Sequence, residues 1–220
     1  MNNTLEICVD ASMRTIANRK FGCSGAYCIN NDMDVYLISP DSTNNRSELL
    51  AIYIGIKLAH NIINQFPNNY NNIVIYSDSK FSVYGLTKWI HHWVATQDRY
   101  GIFYGTNAQP VANQELFKAI ITYCKINNLI VKLYHQKGHV RYTSTKKLHQ
   151  ANETFFESNG FYLKPEDIYK ISYYNDIIDN KTRNKLGRIN PNDYPLINYN
   201  INSKEMVNYV IPKNYYEYIS

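Results

Sequence analysis

The order in which two kinds of apolar periodicity succeed one another is the strongest constraint this chain places on its fold. Leu5-Glu-Ile-Cys-Val9 alternates with period two and ends at Asp10. Gly22 to Asn30 and Met33 to Ser39 also read as strands, joined by a tight Asn-Asn-Asp turn. From Asn45 to Gln65 the period becomes helical, with Leu49, Leu50, Ile52, Tyr53, Ile56 and Ala59 among its apolar positions and Pro67 beyond its end. Ile73-Val-Ile-Tyr76 is a fourth strand, closed by Ser77-Asp78-Ser79, and Lys80 to Val94 reads as a second helix. After a polar and aromatic stretch from Ala95 to Gln109, a helix is expected over 110–127, a fifth strand over 129–135, a basic loop over 136–147 and a last core helix over 148–159. Three strands, helix, strand, helices, strand, helix is an α/β order, and a mixed sheet with helices on its faces accounts for it.

Composition excludes some classes and permits others. Hydrophobic residues make up 45% of the 220, enough for a sizeable core. No stretch of about 18 apolar residues occurs, so no membrane span is expected, and Met1 to Asp10 lacks the pattern of a secretory leader. Cys8, Cys23, Cys28 and Cys124 form no CxxC pair. Read as buried free thiols, they point to a reducing, cytoplasmic or otherwise intracellular setting. The net charge of +5 is compatible with a polyanionic partner without requiring one.

Three carboxylates fall at strand ends or a helix start: Asp10 after the first strand, Glu48 in the first turn of the long helix, and Asp78 after the fourth strand. Such positions converge along one sheet edge. Clustered carboxylates repel one another, and hard oxygen ligands of this kind suit magnesium or manganese. Each residue also has a plain structural reading. Asn45 and Glu48 fit a capping box, Asp78 could cap the following helix, and Asp10 could be a turn residue. Singly these readings are favoured; together, and in their sequence context, the functional one is.

The context is a set of motifs in fixed order. Ser42-Thr-Asn-Asn-Arg-Ser-Glu-Leu-Leu50 resembles the TNNRxEL segment of bacterial-type ribonuclease HI. Tyr76-Ser-Asp-Ser79 resembles its TDS segment, Lys88-Trp-Ile-His-His-Trp93 its QWIHNW segment, Pro110-Val-Ala-Asn-Gln-Glu-Leu116 its PVxNxxL segment, and Lys137-Gly-His139 its KGH. Asp10-Ala-Ser12 stands in place of the usual DGS. The resemblance covers residues 5 to about 160 and implies a type 1 ribonuclease H: a three-layer fold on a five-stranded mixed sheet. It also implies hydrolysis of the RNA strand of RNA–DNA hybrids with two Mg²⁺ ions, for which Mn²⁺ can substitute, leaving 5′-phosphate ends. By residue match Asp10, Glu48 and Asp78 are the metal ligands and His139 assists proton movement or product release. Asn44 and Asn45 are expected to contact the RNA, where their amides suit a 2′-hydroxyl, and Trp89 to support the DNA side. Arg99 is the single Lys or Arg between Trp93 and Pro110, so the family's basic protrusion is expected in length without its usual charge. Lys137, Arg141, Lys146 and Lys147 are expected to compensate with phosphate contacts.

The resemblance places the fourth carboxylate at the start of the last core helix, before a short apolar run. In Leu148-His-Gln-Ala-Asn-Glu-Thr-Phe-Phe156 that place falls on Asn152. An uncharged amide holds a hard cation less well, so weakened catalysis is expected; the alternative is a ribonuclease H-fold protein that binds nucleic acid while cutting poorly. The catalytic domain is expected to span 1–160. Residues 161–220, rich in Tyr and Asn, are expected to be a partly irregular extension not required for catalysis. A monomer is expected.

Overall fold

The computed structural model describes residues 3–140, 142–194 and 219. Three antiparallel strands come first: β1 (Thr4–Ile16), β2 (Arg19–Cys28) and β3 (Met33–Pro40). They are followed by α1 (Asn44–Gln65), β4 (Asn72–Ser77), α2 (Lys80–Tyr84), a π-helical turn (Gly85–Trp89), α3 (Ile90–Thr96), α4 (Gln114–Ile126), β5 (Val131–His135), α5 (Thr145–Asn159) and α6 (Pro165–Leu186). The sheet order is β3-β2-β1-β4-β5, with β4 and β5 parallel to β1. The five strands and the mixed sheet are as the sequence order requires. The single helix expected over 80–94 is divided by the π turn.

Strand alternation sorts β1 between two layers. Leu5, Ile7 and Val9 join the core under α1 and α4, with Leu49, Ile52, Ile56, Phe117 and Ile120. Cys8 points to the opposite face, where Tyr27, Tyr76, Phe155, Ile168, Ile171 and Ile178 form a second core. Both helical layers press closely on the sheet. A Cβ at Gly55 of α1 would meet Val9 at 2.8 Å, and one at Gly25 of β2 would meet Thr182 and Ile178 of α6 at 2.7 and 2.8 Å. No described helix is long and apolar enough to cross a membrane.

The largest departure from the sequence reading is α6. It is a 22-residue helix where an irregular extension was expected. It packs on β1 and β2, and Lys170 pairs with the buried Glu6 of β1 at 2.9 Å. The expected division at residue 160 therefore coincides with no break in packing. Periodicity underreports this helix because its buried stripe includes Ser172, Asn175, Asp179 and Thr182 beside its isoleucines. The remainder of the expected extension, 195–218 and 220, lies outside the described residues.

Candidate metal centre

The β1–β4 pairing ends at Val9 opposite Ser77, while β1 itself runs on to Ile16, so Asp10 lies within the first strand and not after it, beside Asp78 just past the end of β4, where the two parallel strands part. Even positions of β1 face α6, which turns Asp10 towards that layer. Its carboxylate accepts the Ala11 N–H at 2.7 Å, and Ser12 meets Thr182 of α6 at 2.8 Å. Glu48 arrives from the first turn and a half of α1.

The plain structural readings fail for Glu48 and Asp78. The N-cap of α1 is Thr43, whose hydroxyl accepts the Arg46 N–H, not Asn45. Glu48 takes no part in capping: its Oε2 is buried with no hydrogen-bond partner. Ser79, not Asp78, caps α2. Asp10, Glu48 and Asp78 bring one ligand oxygen each within 4.8 Å of one another. Gly138 explains part of the Lys137-Gly-His139 motif, since a Cβ there would lie 2.1 Å from the Asp78 carboxylate. His139, at φ 51°, lines the same cleft as the three acids.

α6 also borders this cleft. Asn175, Asp179 and Arg183 recur at i, i+4 and i+8 and so share one stripe of the helix. Asp179 lies in the cleft, 2.6 Å from Arg183 and 3.4 Å from His139 Nδ1. Gln136 donates to the Asn175 oxygen at 2.7 Å, leaving the Asn175 amide nitrogen to hydrogen-bond Asp78. Asn152, by contrast, does not join the carboxylates. Its side chain donates to the Leu163 carbonyl at 2.8 Å and accepts the Leu163 N–H at 3.0 Å, staple-like, at the α5–α6 connection. The expectation that Asn152 takes the fourth position is thus not met by the packing: α5 is interposed between the His139 loop and the helix that reaches the site. An i, i+4, i+8 series of Asn, Asp and Arg was the available signal.

Of the other residues expected to touch substrate, Asn44 and Asn45 line a cleft with Arg14 and Lys20, and Asn44 also borders the carboxylates. Trp89 is 41% exposed, braced by Phe81 and Tyr84. Lys137, Lys146 and Lys147 are exposed. Lys146 and Lys147 belong to the first turn of α5 rather than to the expected loop, and Arg141 lies outside the described residues. The stretch expected as a protrusion is tied to the core through Phe103, which is fully buried against Trp93.

Burial, reinforced by the facing carboxylates, raises the Asp10 and Glu48 carboxyls well above their ordinary range. Burial also raises Asp78, partly opposed by the His139 imidazole. These groups, with an orphaned buried oxygen among them, fit a hard divalent cation, whose charge would relieve both burdens. The consequence for stability has a definite sign. Below about pH 4 folded and unfolded chains are both protonated at these groups. As pH rises, the unfolded chain loses protons that the folded cluster keeps, so their contribution to stability falls until the folded carboxyls ionise. Mg²⁺ or Mn²⁺ at about a hundredfold excess over Kd is expected to raise the melting temperature by about 5–10 °C at neutral pH. The gain should shrink towards pH 5. Thermal melts across pH with and without the cation check this, and a gain independent of pH would contradict it.

Fold and site together define an α/β protein built around a carboxylate centre suited to a divalent cation. The chain belongs to the RNase H family, whose model matches residues 2–154. That match stops short of α6 and so of Asp179. Ribonuclease H of Thermosynechococcus vestitus is 35% identical over 101 residues, 46% of this chain and 55% of that protein. Ribonuclease H of Rickettsia akari is 30% identical over 99 residues, 45% of this chain and 55% of that protein. The chain thus spans about half the length of the curated relatives it matches. A crystal structure described as LC9-RNase H1, a type 1 RNase H with the type 2 active-site motif, aligns with 76% of this chain and 81% of its own at 20% identity and a TM-score of 0.47.

Proposed function

We propose that this chain hydrolyses the RNA strand of RNA–DNA hybrids, leaving 5′-phosphate and 3′-hydroxyl ends. The observation that carries the reading is the convergence of Asp10, Glu48 and Asp78 in a chain of this family. Asp10, Glu48 and Asp78 would hold divalent cations, Mg²⁺ or in its place Mn²⁺, with Asp179 as the fourth carboxylate. Bound there, the cations supply charge neutralisation at the scissile phosphate and activation of water.

The protein's own groups have separable tasks. Asp10 sits centrally, with both Asp78 and Asp179 among its electrostatic neighbours. Asn175, held by Gln136, keeps the Asp78 carboxylate aimed into the cleft. His139 is exposed beside Asp179, where an imidazole can pass a proton between the reacting strand and solvent. Asn44 offers donor and acceptor to a 2′-hydroxyl, and Asn45 extends that contact along the adjoining cleft. Lys137, Lys146 and Lys147 would contact phosphates, and Trp89 would support the DNA strand. With a carboxylate supplied by α6, the amide at Asn152 gives no reason to expect impaired cutting.

The reading is tested by hydrolysis of a labelled RNA–DNA hybrid with Mg²⁺ and with Mn²⁺, against double-stranded RNA and DNA. Cleavage confined to the RNA of the hybrid is expected; equal cleavage of the controls, or none of the hybrid, would sink it. The fourth-ligand assignment has its own comparison. Asp179→Asn should lower turnover by about a hundredfold, the size of effect expected when a ligand contributing several kcal/mol is weakened. Asn152→Asp should leave turnover within a few-fold of the parent. Strong activation by Asn152→Asp would restore the position suggested by the motif order.

A further inference from the structure

The carboxylate cleft is the middle of a longer groove. At Met13 and Asn44 it joins the cleft that Arg14 and Lys20 border. At His139, Asp179 and Arg183 it joins another, walled by Val140, Tyr142 and Asp176. A strand lying across the carboxylates can continue in either direction. The Tyr142 end differs chemically from the rest. Tyr169 and Tyr173 of α6 are 45% and 36% exposed, with ring planes parallel to within 2°. Tyr142 stands edge-on to both, its centroid 5.7 and 5.2 Å from theirs. Behind them Tyr173 contacts Tyr174 at 5.1 Å, and Tyr174 stacks on the buried Tyr27 at 5.3 Å. The exposed rings are therefore backed by the core and held in place.

Tyr169, Tyr173, Asp176 and Arg183 follow one another at helical spacing on a single stripe of α6. Tyr173 precedes Asp179 by six residues, about 9 Å along the axis. Bases within a duplex are already stacked on their neighbours and cannot stack on a protein ring, whereas unpaired bases can. Exposed, braced rings that join the groove through Tyr142 thus select unpaired nucleotides. The strand that passes the carboxylates is the one the groove carries onward.

Resting on the function proposed above, we propose that the Tyr142–Tyr169–Tyr173 cluster binds unpaired nucleotides of the RNA strand where that strand leaves the hybrid. The substrate preferred by this chain is then a hybrid with a single-stranded RNA extension.

The test measures binding in the Asp10→Asn background with Mg²⁺, which keeps the RNA intact. The probes are a blunt hybrid, the same hybrid with a short RNA extension carrying 2-aminopurine, and one with a DNA extension instead. The RNA extension should tighten binding about tenfold, the effect of a base–aromatic stack or slightly more, and quench the 2-aminopurine. Tyr169→Ala with Tyr173→Ala should abolish the gain and the quenching, and Tyr169→Phe with Tyr173→Phe should keep both. Circular dichroism of the alanine variant verifies that it folds; if it does not, Tyr142→Ala serves in its place. Equal binding of blunt and RNA-extended hybrids would overturn the proposal, as would a gain that survives alanine substitution or one given equally by the DNA extension. Failure to cut the blunt hybrid bears on the underlying function alone, because the binding comparison needs no cleavage.

Discussion

Asp10→Asn is expected to lower hybrid hydrolysis by about a thousandfold or more while the domain stays folded. The size follows from charge stabilisation worth several kcal/mol, at about 1.4 kcal/mol per factor of ten. Asp10 is 4% exposed and lies within β1, between Glu48 of α1 and Asp78 after β4, so no neighbour can move in to replace its charge. The amide oxygen can still accept the Ala11 N–H, which preserves the local backbone bond. Removing one buried negative charge also relieves Glu48, which Asp10 helps to push up. In the absence of divalent cation the variant should therefore melt at a higher temperature than the parent at neutral pH. Hydrolysis assays and thermal melts on the same preparations decide the matter. Parent-like activity would remove Asp10 from the centre, and a large fall in melting temperature would mean that it serves the fold instead.

Truncation after Gly160 is expected to abolish the folded state, and activity with it. α6 buries Ile168, Ile171, Ile178 and Leu186 against the sheet and its neighbours. At about 1.5–3 kcal/mol for each such side chain, their loss is comparable with the whole stability of a typical domain, about 5–15 kcal/mol. The sheet face that includes Cys8, Tyr27 and Tyr76 would be uncovered, and Glu6 would lose Lys170. Motif order alone gives the opposite expectation, because every matched motif lies before residue 160. Circular dichroism and hybrid hydrolysis of the truncated chain distinguish the two: a folded, active 1–160 fragment would show that α6 is an accessory. A single substitution, Gly25→Val, probes the same docking surface, since its side chain would collide with Thr182 and Ile178.

Much of the protein follows from local pattern. Period-two runs and the long helical period over 45–65 are local properties, and they specify five strands and α1 without reference to distant residues. Asp10, Glu48 and Asp78 are legible for a related reason. Glu48 and Asp78 are attached to the start or end of a regular element, and Asp10 lies in β1 just past its last pairing with β4, so topology brings the three to one edge. The Lys137-Gly-His139 segment is legible as well, though its glycine is explained only by the nearness of Asp78.

What tertiary structure decided is the layer formed by α5 and α6. The buried stripe of α6 mixes Ile168, Ile171 and Ile178 with Ser172, Asn175, Asp179 and Thr182. Hydrophobic periodicity is blunted because part of that stripe covers a polar site instead of an apolar core. For the same reason the helix matches no strong motif, and the resemblance leads instead to the start of α5 and Asn152, which fastens α5 to Leu163. Asp179 reaches the cleft because α6 docks at Gly25 and Ser12, a long-range packing choice made across more than 150 residues of chain. Local sequence determines where Asp10, Glu48 and Asp78 can cluster; the docking of α6 brings Asp179 into the same cleft.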